Sequence, residues 1–132
     1  MAKSLKFRNA LLCEFVAKGD RNKHTLVNVF SGDIIVQEFP TKLHVGLYME
    51  YIPQDVNVRE FWLHFKLDKE IPLKAQINMP IVKPNVPVSV VIQLMEVGVD
   101  RDLTFSVEAA CEGFRKTTVL SKRIYKSELP PG

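Results

Sequence analysis

Apolar and polar residues alternate along most of the chain with a period of two. In LHVGLYMEY (43–51), Leu43, Val45, Leu47, Met49 and Tyr51 share one face. REFWLHFKL (59–67) repeats the pattern with Phe61, Leu63, Phe65 and Leu67. LKAQINM (73–79) and LTFSVEAAC (103–111) follow it too, setting Lys74, Gln76 and Asn78 against Leu73, Ala75 and Ile77 in the first. Successive side chains of a strand point to opposite faces, so each segment is expected to be an antiparallel strand with one buried and one wet face. ALLCEFVA (10–17), IIV (34–36) and VSVVIQLMEVGV (88–99) are apolar on both faces and read as central or doubly covered strands. No stretch of ten or more residues carries a 3.6-residue period, so no helix is expected.

Turn-forming residues fall between these segments, at 18–23, 31–33, 53–57, 68–72, 98–102 and 112–116. Eight or nine short strands without βαβ alternation predict an all-β fold, an antiparallel two-sheet sandwich, with a closed β-barrel as the alternative. At 132 residues the chain is the size of one domain, 1–132. Its termini, 1–6 and 128–132, are expected to be disordered, since ELPPG continues neither a helix nor a central strand. MPIVKPNVPV, with three prolines, reads as a crossover between sheets or an edge segment. Segments 43–51 and 59–67, joined by IPQDVNV, are expected to pair as a hairpin.

The order of elements at the two ends carries a resemblance. LLCEFVAKGDRNKHTLVNVFSGDIIVQEFP runs through an apolar strand, a polar turn, an L-x-N-V-F strand, a short turn and an apolar strand closing on Phe-Pro. This resembles a family of short bacterial proteins of unassigned function, read as β-sandwiches, in which such a hairpin and Phe-Pro come first. In that family a strand–Asp-Gly–strand unit closes the chain, and CEG at 111–113 stands in that place here. The likeness covers roughly 10–40 and 103–125. It implies a fold and no activity.

Eighteen basic and 15 acidic residues leave a net charge of +3 and a pI near 8.9. That charge is small and dispersed, whereas nucleic-acid binders gather Lys and Arg on one surface, so no specific nucleic acid partner is expected. No window approaches the ~18 apolar residues of a membrane span. ALLCEFVA is short, carries Glu14 and lacks a cleavage site, so it does not read as a signal peptide, and a cytoplasmic protein with no membrane partner is expected. Cys13 and Cys111 fit no metal spacing and read as small buried side chains, since a disulfide between them would require secretion.

No catalytic, cofactor-binding or metal site is expected. Both cysteines lie in apolar strands, where burial raises a thiol's pKa and makes it inert. Ser31, in FSGD, lacks the surroundings of a nucleophile elbow. His24, His44 and His64 have no metal-ligand spacing, and the carboxylates of GVDRD and LDKE sit in turns, where Asp is used for local backbone bonds. No phosphate-binding glycine loop exists. The Gly-Asp pairs at 19–20 and 32–33 read as chain reversals, with glycine supplying a positive φ.

Two surfaces remain as candidates. If the first turn and the 112–116 turn share one end of the sandwich, Lys18, Arg21, Lys23, Arg115 and Lys116 form an anion-attracting rim. On a 43–51/59–67 hairpin with 48 opposite 64, Tyr48 packs on His64 beside Trp62, the one tryptophan. Trp and Tyr are enriched at binding hot spots, so Tyr48, Trp62 and His64 form a candidate interaction face for a protein partner or self-association. The functional expectation is therefore a non-enzymatic protein–protein interaction, assembly or scaffold module, a part of a bacterial or phage assembly being one variant. The alternative is a small ligand-binding module that uses the basic rim to hold an anion.

Overall fold

A computed structural model describes residues 3–21 and 23–127. Eleven strands form among them: β1 Lys3–Ser4, β2 Lys6–Lys18, β3 His24–Val29, β4 Ile34–Val36, β5 Thr41–Ile52, β6 Glu60–Leu67, β7 Glu70–Asn78, β8 Val88–Val99, β9 Leu103–Ala110, β10 Phe114–Arg115 and β11 Thr117–Lys126. Nine of these hold three or more residues, and no described residue is helical.

The strands lie in a five-stranded sheet, β4-β11-β9-β6-β7, a four-stranded sheet, β3-β2-β5-β8, and a small β1-β10 pair. The sheets stay open and form no closed barrel. The fold is all-β and sandwich-like, as the alternation implies. It is not wholly antiparallel, because β4 runs parallel to β11 and β1 parallel to β10.

The period-two residues make the core. Leu47, Met49 and Tyr51 of β5 join Phe61, Leu63 and Phe65 of β6 and Phe105, Val107 and Ala109 of β9, each at most 2% exposed. Tyr51 and Phe61 stand 5.2 Å apart by ring centroid, with Phe7 packed on both. Each large side chain removed from water here contributes about 1.5–3 kcal/mol.

Three expectations need correction. Strands β5 and β6 do not pair: β5 lies between β2 and β8, and β6 between β9 and β7. Consecutive in sequence, they pack across the core from opposite sheets. Among the three segments apolar on both faces, β2 is central; β8 is an edge strand with its outer side under the β2–β3 hairpin, and β4 is an edge strand with Ile35 59% exposed, neither central nor doubly covered. The start of the chain is ordered from Lys3, because β1 pairs with β10 and Leu5 is buried in the core. Residues 1–2 and 128–132 lie outside the described residues. The 79–87 segment does cross from β7 to β8, and it fastens itself to the core with Met79 and Val82.

The β2–β3 hairpin folds back over its own sheet. Cys13 pairs with Gly46, so a flat continuation would carry Lys18 and its partner His24 to the level of Thr41. That is seven residues, roughly 23 Å, from Tyr48. Instead the His24 and Tyr48 rings are 5.6 Å apart, and Gln93 Nε2 of β8 donates to Val16 O at 3.5 Å. The hairpin therefore lies across the outer side of β5 and β8. Cys13 and Val16 are fully buried beneath it, outside the main core. The regular β2–β3 pairing is interrupted at Glu14 and Asn28, where Asn28 takes φ 53° and its amide donates to the Glu14 carboxylate at 3.2 Å.

The Gly-Asp pairs do mark reversals, but with different chemistry from that expected. Arg21, at φ 57°, takes the left-handed conformation in the first turn, which closes through Gly19 N donating to Lys23 O at 2.7 Å. Asp33 Oδ1 accepts from Arg123 N of β11 at 3.1 Å.

Candidate interaction face

In β6 the odd positions enter the core, so Trp62, His64 and Lys66 point outward from the five-stranded sheet. Trp62 stands opposite Gln76 of β7 and Ala110 of β9; His64 stands opposite Lys74 and Glu108. Side chains directly across a ladder lie about 5 Å apart, so these residues form one continuous surface. Trp62 is 43% exposed, and no outward residue of β6, β7 or β9 is fully buried. No part of the described chain covers this side, in contrast to the four-stranded sheet under its hairpin.

The surface around the indole is polar and carries charges of both signs, Lys66, Lys74 and Lys116 with Glu60 and Glu108. Lys66 Nζ lies 3.4 Å from Glu108 Oε2, with both side chains half-buried. His64 Nδ1 is shielded from solvent and has no hydrogen-bond partner among the described residues. Burial lowers the His64 pKa below its ordinary value, and Lys74, Lys116 and Lys66 push the same way against Glu108. Thr117 pairs with Ala109, which brings Lys116 to the level of Ala110 and Trp62.

Tyr48 belongs elsewhere. It points outward from the other sheet, where its hydroxyl donates to Glu50 Oε2 at 2.9 Å. Glu50 also accepts from Arg8 Nε at 2.6 Å and Asn9 Nδ2 at 2.9 Å, and these bonds, Arg8's first, hold its carboxyl below the usual range. The expected Tyr48–Trp62–His64 surface is thus two surfaces on opposite sides of the sandwich. The cause is the missing β5–β6 pairing.

The basic rim is not assembled either. Lys18 and Lys23 belong to the hairpin across the four-stranded sheet, with Arg21 in its turn. Lys116 lies beside His64 on the five-stranded sheet, and Arg115 is in β10 against β1. The three histidines are separate: His24 rests on Tyr48, His44 Nε2 is 3.4 Å from Glu96, and His64 is across the core. Among the described residues no group of three or more His, Cys, Asp or Glu side chains could hold a metal. Burial raises the thiol pKa of both Cys13 and Cys111, away from the reactive thiolate. Turn carboxylates end ladders: Asp68 Oδ1 accepts from Thr104 N and Asp102 Oδ1 from Lys126 N.

A cleft of about 670 Å³ opens at one end of the sandwich, with Leu67 and Val99 in its wall and Lys42, Glu70, Asp100 and Arg101 around it. Its charges are largely paired, Arg101 with Asp100 at 2.8 Å and Lys42 with Glu96 at 3.4 Å. The residues that join Trp62 and His64 in place of Tyr48 are Lys74, Gln76 and Glu108. Their signal was the alternation of 73–79 and 103–111, which turns all three away from the core.

No protein-family model and no curated protein matches this chain. No helix among the described residues is long and apolar enough to cross a membrane.

Proposed function

We propose that this chain is a non-enzymatic protein-interaction module, an assembly or scaffold part, and that it binds through the outer side of the five-stranded sheet. The observation that supports this is Trp62, 43% exposed on an interior strand of a sheet that nothing in the described chain covers. A large rigid indole exposed on an interior strand has the geometry of a binding anchor, where few residues carry most of the affinity. The opposite outer side is occupied by the chain's own hairpin, so the two sides are not equivalent as docking surfaces. The two thiols are free, Cys13 on one sheet and Cys111 at the end of a strand of the other, which fits work in a reducing compartment such as the cytoplasm.

The test is retention of partners. Tagged wild-type protein crosslinked in its native cell is expected to hold partners that Trp62→Ala loses, at least tenfold by quantitative recovery, with folding intact by circular dichroism. Truncating an interface anchor typically costs more than about 2 kcal/mol, which is a change of that size. Equal recovery by the two proteins overturns the proposal. Sedimentation of both proteins separates the self-association version: if Trp62 mediates a homo-oligomer, Trp62→Ala runs as a smaller species.

A further inference from the structure

We infer that the partner surface seated on Trp62 is an acidic polypeptide segment, a deepening that rests on the interaction reading above. Three lysines, Lys66, Lys74 and Lys116, surround Trp62 and His64, and two carboxylates share this side, Glu108 and, two residues before Trp62 on β6, Glu60. Lys66 is engaged with Glu108 at 3.4 Å. Neither Lys74 nor Lys116 enters an ion pair among the described residues, and both are exposed. His64 adds, between Lys74 and Glu108, a ring nitrogen with no hydrogen-bond partner among the described residues. The surface thus presents an indole with two lysines outside any ion pair among the described residues within a strand or two of it, and Glu60 at the β6 end of the patch. Complementary charge orients an encounter and rejects like-charged partners, so an acidic segment with an apolar or aromatic residue for the indole fits it.

Single-stranded nucleic acid is the competing anion, and the aromatic count argues against it. Base-tracking surfaces stack successive bases on several rings. Here Trp62 stands alone: Tyr125, the other outward aromatic of this sheet, has the Arg123 guanidinium 4.7 Å from its ring centroid. One platform with two lysines suits a short acidic peptide better than a strand of stacked bases.

The chain has one tryptophan, so its emission reports on this surface alone. The probes are a random glutamate–tyrosine copolymer, a lysine–tyrosine copolymer and an oligothymidylate, each titrated with excitation selective for tryptophan. The expected result is a saturable emission change with the acidic copolymer and none with the basic one. Apparent affinity should fall about threefold for Lys74→Glu or Lys116→Glu, and fall with added salt. Lys42→Glu, on the other sheet, should bind as wild type; Lys74→Ser gives a milder change at the same position. Absence of a saturable change, an affinity indifferent to the Lys74→Glu/Lys116→Glu double variant, or tighter binding of oligothymidylate each overturns the inference. Partners lost by Trp62→Ala but indifferent to both lysine changes would overturn the acidic chemistry and leave the interaction reading standing.

Discussion

Gly46 shows how tightly single residues constrain this fold. A Cβ there would lie 2.7 Å from Gln93 O and 3.1 Å from Val16 N, both backbone atoms that cannot step aside. Gly46→Ala is expected to cost about 1–3 kcal/mol, read as a lower urea midpoint at unchanged slope. Gly98→Ala meets nothing within 4 Å and should change stability by no more than about 0.5 kcal/mol. Equal midpoints for the two variants would contradict the close approach of β8 and β2 to Gly46. His64 gives a second residue-scale test, on pH. Its folded pKa is lowered, so below the ordinary value of about 6.5 the unfolded chain takes up a proton that the folded chain resists. Stability should therefore fall as pH drops through that value toward the lower folded one, and His64→Gln should remove this part of the slope. An unchanged slope in the variant would contradict the assigned shift. The outward direction of His64 was legible from alternation alone, whereas its lysine neighbours depended on strand pairing, which alternation does not encode.

At the scale of elements, the sequence separates buried from exposed positions better than it assigns strands to sheets. Odd positions of 43–51 and 59–67 face the core whether these strands pair side by side or pack across the interior from opposite sheets. The same apolar pattern serves both, so alternation alone does not separate Tyr48 from Trp62. The run ALLCEFVA held a truer signal. Leu12 enters the main core and Cys13 lies buried on the other side under the hairpin, so the strand is doubly covered as its two apolar faces imply. Val16→Ala should loosen that cover, costing about 2 kcal/mol and speeding thiol labelling of Cys13 in a Cys111→Ser background. Fast labelling of Cys13 in the otherwise unchanged Cys111→Ser protein would contradict the folded-over hairpin. Three of the four open edges of the two larger sheets are also interrupted: β7 carries Pro72 and Lys74, β8 a bulge near Gln93 and Leu94 opposite Gly46, and β3 the left-handed Asn28, while β4 is three residues long. Such edges resist strand addition. Pro72→Thr, which restores a backbone donor to an edge, should increase self-association in sedimentation velocity; a monomer indistinguishable from wild type would count against edge protection by Pro72.

Across the whole molecule, the two outer sides differ. One is covered by a hairpin of the same chain, which hides Cys13 and holds His24 on Tyr48. The other carries Trp62 among Glu60, Lys66, Lys74, Lys116 and Glu108, with nothing of the described chain over it. The small net charge of +3 gave no hint of this, because it sums over both sides. The proposal that the chain works by contact at Trp62 is tested most directly by site-specific photo-crosslinking in the native cell. A benzoylphenylalanine at position 62 is expected to form discrete protein adducts, while the same group at position 48 forms none. Adducts from position 48, or none from position 62 in a folded protein, would contradict it.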